Sequence, residues 1–303
     1  TKHFLNCLDV AAIRKKKFKV VIDYSYGIAS TIFPGILGEF NVDIVSLSAH
    51  LDKDKITRTE EEFHKSQRHF FEVVKSLQYD IGFMIDAGGE KIWVVTPFRN
   101  VLDGNRFLVL VLKMYLLVTK DVKKIAVPVR ATGEVDVVAR EFGVEVERVK
   151  DTHYAMMMAC DHEDVKFVGG AFGGFLFPEF LYATDGMFSV AKILEMIAKS
   201  GYSIDELDRT TPHLHMIKEN LECSRDEKGS IMRKFMENTM NYRQELIDGV
   251  KVFLEKDTTV LCIPDRDRNL VHLNVESPSK LRTRSVMKEY KKMVQSYISK
   301  EKQ

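Results

Sequence analysis

The stretch Lys124–Val149, KIAVPVRATGEVDVVAREFGVEVERV, decides the fold class. Lys124–Pro128 reads as a strand, Gly133–Phe142 as a helix and Val144–Val149 as a second strand. Upstream the same rhythm appears as a strand over Lys19–Asp23, a turn at Tyr26-Gly27, a helix over Ala29–Phe40 and a strand over Val42–Leu47. Thr59 and Glu62 form a capping box ahead of the amphipathic run Phe63–Leu77. Asp80–Asp86, a Gly-Gly turn and Lys91–Val95 predict a hairpin-like return, and Asn105–Val118 is apolar and long enough for a buried helix. Downstream, Tyr154–His162 reads as a Met-rich helix, Val165–Gly169 as a strand, Phe175–Phe177 as a short apolar segment and Asp185–Ser200 as a helix N-capped near Asp185. Strands alternating with helices predict α/β units around mixed or mainly parallel sheets.

After Gly201 the texture changes. Asp208–Gly229 is polar, contains Pro212 and carries both signs of charge, so it reads as a linker with some helix. Three strands follow, Val250–Leu254, Thr259–Ile263 and Leu270–Val275, and then one long amphipathic helix, Ser279–Ile298. Strands succeeded by a helix, without alternation, predict a small α+β domain. No solenoid repeat and no low-complexity tract is visible.

Composition narrows the function classes. The 303 residues hold 45 basic and 44 acidic side chains, so no broad field draws the chain to nucleic acid or to an anionic membrane. No apolar run approaches the ~20 residues of a membrane span. Cys7, Cys160, Cys223 and Cys262 lie far apart without a C-x-x-C pair. They read as scattered reduced thiols of a cytoplasmic protein, neither a zinc site nor a bridge framework.

Local motifs are weak when taken singly. Asp23–Gly27 follows a strand but lacks G-x-G-x-x-G spacing, so it reads as a plain strand-to-helix turn. His213 and His215 share a face if extended, yet bring no third ligand and read as solvated. Met156, Met157 and Met158 read as core packing. DIGFMIDAGGEK, Asp80–Lys91, is the most informative segment because its turn brings Asp86 and Glu90 together. Two readings stand: part of an octahedral Mg²⁺ site completed by waters and substrate phosphate, or a solvated turn.

Longer strings carry a resemblance. VVIDYSYGIAS (Val20–Ser30), DIGFMIDAGGEKIWVV (Asp80–Val95), VLDGNRFLVL (Val101–Leu110), VKFVGGAFGGFLFPEF (Val165–Phe180) and DGVKVFLEKDTTVLCIPD (Asp248–Asp265) resemble the α-D-phosphohexomutase superfamily, the phosphomannomutases and phosphoglucomutases. The resemblance runs from about Cys7 to Tyr297 and implies the second, third and fourth domains of a four-domain fold. It sets the expected architecture: two phosphohexomutase-type α/β domains with mixed sheets, over 1–121 and 122–211, then a small α+β C-terminal domain over 212–303. PEF at 178–180, KGSIMR at 228–233 and IPD at 263–265 look most like the mutase-like half of bacterial mannose-1-phosphate guanylyltransferase fusions. A covalent N-terminal nucleotidyltransferase and mutase domain 1 are therefore expected upstream of Thr1 in the natural polypeptide.

The functional loops depart from the family pattern. Active members carry D-G-D-x-D-R in the metal loop, where this chain has Asp86-Ala87-Gly88-Gly89-Glu90-Lys91. The sugar loop G-E-x-S-G is replaced by Gly170-Ala171-Phe172-Gly173-Gly174, which loses its carboxylate and hydroxyl. The phosphate loop R-P-S-G-T-E-P is replaced by Ile263-Pro264-Asp265-Arg266-Asp267-Arg268-Asn269, which places two aspartates where an anion would sit. The candidate positions are thus Asp86, Glu90 and Lys91 for metal, Gly170, Gly173 and Gly174 for sugar, and Asp265, Arg266, Asp267 and Arg268 for phosphate. The family's phosphoserine belongs to the domain missing here, so no catalytic residue is assigned. The resemblance implies Mg²⁺ for active members, a degenerate metal loop with no cofactor here, and a sugar phosphate as the ligand to test. Two outcomes follow: a catalytically vestigial module of GDP-mannose-type metabolism, or a mutase that works when joined to its first domain.

Overall fold

A computed structural model describes residues 1–57, 59–98 and 101–298. The chain forms two compact units. One comprises Thr1–Pro128, Val138–Glu147 and His153–Thr211; the other comprises Val129–Val137, Arg148–Thr152 and the chain from Pro212 onward.

The first unit opens with α1 (Lys2–Asn6) and α2 (Val10–Lys16), which the sequence does not announce. Next come β1 (Lys19–Asp23), α3 (Ala29–Leu37), β2 (Asp43–Leu47), α4 (Lys53–Ile56), α5 (Glu60–Leu77), β3 (Ile81–Ile85) and β4 (Ile92–Val95). Their sheet has the order β2-β1-β3-β4, with β1 parallel to both neighbours and β4 antiparallel to β3. The antiparallel return is the hairpin expected from the Gly-Gly turn. Thr59 and Glu62 make the expected capping box at the start of α5.

The helix α6 (Gly104–Val118) is N-capped by Asp103 and buried without a break from Asn105 to Leu112. A second mixed sheet has the order β6-β5-β7-β8, from β5 (Lys124–Pro128), β6 (Glu145–Val149), β7 (Val165–Gly169) and β8 (Phe175–Leu176). α7 (Glu134–Glu141) links β5 to β6, as the opening stretch predicts, and α8 (His153–Ala159) links β6 to β7. Of the three methionines of α8 only Met156 enters the core, while Met157 and Met158 are exposed, which corrects the expectation for that run. α9 (Gly186–Ser200), capped by Asp185, is buried continuously from Phe188 to Ile197. Apolar faces on all sides mark α6 and α9 as interior helices. A short α10 (Ile204–Thr210) closes the unit, and Arg106 of α6 holds it. The guanidinium of Arg106 donates to Asp208 Oδ1 at 2.6 Å and to the carbonyls of Asp208 and Thr211 at 2.9 Å each.

The second unit corrects the linker. His215–Glu222 is a full strand, β9, paired along its whole length with β13. It escaped notice because it is an edge strand whose outer side chains are polar. Only Leu221 is fully buried, so no apolar run marks it. α11 (Glu227–Asn238), β10 (Arg243–Glu245), β11 (Val250–Glu255), β12 (Thr258–Pro264), β13 (Leu270–Ser277) and α12 (Lys280–Gln295) complete the unit. The antiparallel sheet runs β10-β11-β12-β13-β9. One face, with Val252, Val260, Cys262, Leu273 and Val275, packs on Phe235 of α11 and on Val286 and Tyr290 of α12.

The opposite face carries buried charge. Lys251 is 2% exposed, and burial together with Arg148 pushes its amine down to about 8, partly offset by Asp136, Glu276 and Glu245. An unfolded lysine titrates near ~10.4, so between about 8 and ~10.4 the unfolded chain binds more protons. Stability contributed by this position therefore rises with pH across that window and is lost below it. Lys251→Met is expected to raise stability near pH 7 by about 1–3 kcal/mol, with the gain shrinking as pH approaches 10. Urea unfolding at several pH values reads this, and a loss of stability at pH 7 would refute it.

Candidate functional site

In the first unit, two turns lock together through their backbones. Asp86 directly follows β3, and its Oδ1 accepts the N–H groups of Glu90 (2.6 Å) and Lys91 (2.9 Å), which ties the turn to its own first residue. The β7–β8 turn Gly170–Gly174 lies against it. The Ile92 N–H donates to the Gly173 carbonyl at 3.0 Å, and the Gly186 N–H donates to the Gly89 carbonyl at 2.7 Å. Gly173 has φ +79°, and a Cβ there would overlap the carbonyl oxygen of Ile92. Gly27 allows a third loop to join, because a Cβ at that position would run into the Ala87 backbone. The structure thus brings Asp86, Glu90 and Lys91 beside Gly170, Gly173 and Gly174. What the second turn offers is backbone and the ring of Phe172, which is 69% exposed.

These residues do not fit Mg²⁺. Asp86 is half-buried with one oxygen already engaged, Glu90 points to solvent, and Gly88 supplies no side chain. Among the described residues no group of three His, Cys, Asp or Glu side chains converges as a metal site. An octahedral Mg²⁺ can draw on waters, but it still needs carboxylates aimed at one point. His213 and His215 supply none. His213 Nδ1 faces Glu134 Oε1 at 3.0 Å, and the two rings meet edge to face.

In the second unit, the β12–β13 turn is occupied by its own charges. Asp265 Oδ1 accepts the N–H groups of Asp267 (2.9 Å) and Arg268 (2.7 Å), while Oδ2 receives Nε (3.1 Å) and Nη2 (2.9 Å) of Arg268. His272 Nε2 lies 2.9 Å from the same oxygen. The Arg268 amide, then the Asp267 amide, the Arg268 guanidinium and His272 hold the Asp265 carboxyl far below the usual carboxylate range, against its desolvation. Burial lowers the His272 imidazole, with Asp265 opposing. Lys228 donates to the carbonyls of Asp265 (2.8 Å) and Arg268 (2.5 Å), which staples the turn to α11.

Arg266 pairs with Asp248 at 3.1 Å, and not with Asp267, whose side chain is exposed. Asp248 Oδ2 also accepts the Asp151 N–H at 2.9 Å, and the Asp151 carboxylate lies 3.2 Å from Arg130 Nε. Burial pushes the Asp151 carboxyl up, Arg130 and Arg266 pull it down, and Asp248 raises it again. Sequence reasoning missed Arg130, Asp151 and Asp248. One signal was available: Arg130 and Asp151 stand two residues past the carboxyl ends of β5 and β6, where open α/β sheets place functional groups.

The order of sheets and helices is that of a known family of α/β domains. The phosphoglucomutase/phosphomannomutase family matches as alpha/beta/alpha domain II over residues 1–97 and as alpha/beta/alpha domain III over residues 103–213. The chain belongs to the phosphohexomutase superfamily. It is 28% identical over 285 residues to a phosphoglucomutase/phosphomannomutase of Thermococcus kodakarensis, covering 93% of this chain and 62% of the relative. It is 27% identical over 300 residues to a probable phosphoglucosamine mutase of Methanopyrus kandleri, covering 98% of this chain and 66% of the relative. The chain therefore spans about two thirds of the length of these curated relatives. A phosphoglucomutase/phosphomannomutase family protein of Burkholderia thailandensis shares the fold at TM-score 0.79 and 19% identity, over 95% of this chain and 63% of that one. Among the described residues no helix is long and apolar enough to cross a membrane.

Proposed function

We propose that this chain is a phosphohexomutase-type module of sugar-nucleotide metabolism that does not itself transfer phosphate. Phosphoryl transfer needs a donor, charge neutralisation around the transferring group and an anchor for the second phosphate. The carrying observation is the self-occupied β12–β13 turn, where Nε and Nη2 of Arg268 both donate to Asp265 Oδ2 and so use the guanidinium edge that would grip a phosphate. A phosphate dianion arriving there must displace a carboxylate held by two amides and compete with it at short range. The Asp86 turn adds to this, since it offers two carboxylates, Asp86 and Glu90, and one Asp86 oxygen is already engaged by the amides of its own turn. The wording at 178–180, 228–233 and 263–265 supports a GDP-mannose setting and a guanylyltransferase partner joined in the same polypeptide.

In this reading Asp86 fixes the first turn, Gly173 lets the second turn dock on it, and Asp265 and Asp248 store the arginines in pairs. Isothermal titration of the chain with MgCl₂, mannose 1-phosphate and glucose 6-phosphate is expected to give no dissociation constant tighter than about 1 mM, or ~4 kcal/mol. A micromolar Mg²⁺ constant lost in Asp86→Ala, or a micromolar phosphosugar constant lost in Arg268→Ala, would overturn the proposal.

A further inference from the structure

At the carboxyl ends of β1 and β3 lies a cavity of about 350 Å³, bordered by Ser25, Thr59, Glu60, Phe63, Asp86 and Trp93. Small-molecule sites begin at about 300 Å³, and crevices at strand carboxyl ends are where open α/β sheets take ligands. Three features give the cavity a chemistry that the loop substitutions do not explain.

The first is Ser25, only 7% exposed, whose N–H donates to Asp23 Oδ1 at 2.8 Å while its hydroxyl has no hydrogen-bond partner among the described residues. Ser25 (φ 49°) and Tyr26 (φ 58°) are consecutive non-glycine residues in the left-handed region. Such strain persists where surrounding structure enforces it, and it gathers at ligand sites. The second feature is Asp86. Its Oδ1 is spent on the turn, but its Oδ2 carries no hydrogen bond among the described residues. The third is an aromatic wall, with the rings of Phe63 and Trp93 meeting edge to face at 4.9 Å.

The described lining holds two carboxylates, two hydroxyls and two aromatic rings, and no basic side chain. That set repels a phosphate. It also fails Mg²⁺, which demands oxygen ligands in octahedral array and gains little from indole and phenyl walls. It does suit an ammonium group, which a carboxylate pairs with and an aromatic face attracts, carried on a hydroxylated ring that stacks on indole. We propose that this pocket binds an unphosphorylated amino sugar or close analogue. Asp86 Oδ2 and Ser25 Oγ accept from the ammonium, and Trp93 packs on the ring. The assignment rests on the reading that the Asp86 turn holds no Mg²⁺.

Trp93 is the single tryptophan of the chain, so its emission reports on this cavity alone. The test is a fluorescence titration of the chain with glucosamine, glucose, glucosamine 6-phosphate and MgCl₂. A saturable response to glucosamine is expected, at least about tenfold weaker for glucose and for glucosamine 6-phosphate, where a tenfold change is ~1.4 kcal/mol. Asp86→Asn keeps an Oδ1 acceptor for the turn and removes the charge, so it should weaken glucosamine binding about tenfold or more with an unchanged far-ultraviolet spectrum. Ser25→Gly relieves the left-handed backbone, so binding that weakens in a variant at least as stable as the parent cannot come from misfolding. Silence with both glucosamine and MgCl₂ overturns the pocket and leaves the metal-free reading standing. A saturating MgCl₂ response that Asp86→Asn abolishes overturns the metal-free reading, and the pocket assignment falls with it.

Discussion

Replacing Arg106 by alanine is expected to destabilise the first unit by about 3–5 kcal/mol, a large share of the roughly 5–15 kcal/mol that holds a typical domain folded. The size follows from what the substitution strands. Arg106 and Asp208 have side chains 9% and 7% exposed, and they meet at 2.6 Å. The same guanidinium also satisfies the carbonyls of Asp208 and Thr211 at the end of α10. Truncating Arg106 takes a guanidinium away from a buried carboxylate and from two carbonyls at the end of α10, and water cannot easily reach either. Differential scanning calorimetry should show a large fall in the melting temperature of the first unit. Arg106→Met/Asp208→Leu, which removes both charges, should recover much of the loss. If Arg106→Ala cost under about 1 kcal/mol, the pair would be a surface-type bridge and the account of α10 would fail.

Gly173→Ala is the second large effect, about 3 kcal/mol or more. Two independent costs coincide there. A left-handed φ of +79° penalises any Cβ by roughly 1 kcal/mol. Besides that, the new methyl would overlap the Ile92 carbonyl, so the β7–β8 turn must back away from the β3–β4 turn and give up the Ile92 to Gly173 hydrogen bond. Loss of protection from hydrogen exchange at the Ile92 amide, with the β5–β7 amides unchanged, would show the two turns parting. Gly143→Ala, also at positive φ (68°) but with open space around its Cβ position, supplies the control for backbone strain alone. Equal losses in the two variants would mean that the turn–turn contact adds nothing.

These two residues show what could be read beforehand and what could not. Gly173 lies in a string that reads chemically as a lost sugar loop, and its stronger constraint is steric. That constraint comes from Ile92, 81 positions away, and no local pattern reports it. The β5–α7–β6 unit, the Thr59 capping box and the Asp185 cap were legible because each is written in a few consecutive residues. β9 was not, since an edge strand with polar outer residues owes its conformation to pairing with β13, some 55 residues on. The hairpin charges were legible as a set, Asp265 to Arg268, but their pairing was not. Arg268 returns to Asp265 as a helix-like i,i+3 neighbour would, whereas Arg266 reaches Asp248 across the sheet edge. Ser25 and Tyr26 gave no warning either. Left-handed backbone is expected at Gly or Asn, and here a serine and a tyrosine adopt it.

The central claim is that the loops of this chain are structurally intact and chemically unequipped for phosphate transfer. A coupled mutase assay tests it most directly, using the chain with glucose 1-phosphate, mannose 1-phosphate and glucosamine 1-phosphate, each supplied with the matching 1,6-bisphosphate and MgCl₂. The account predicts product formation no faster than in the protein-free control for every sugar. Conversion that rises with protein concentration and disappears in Asp86→Ala or Arg268→Ala would contradict it.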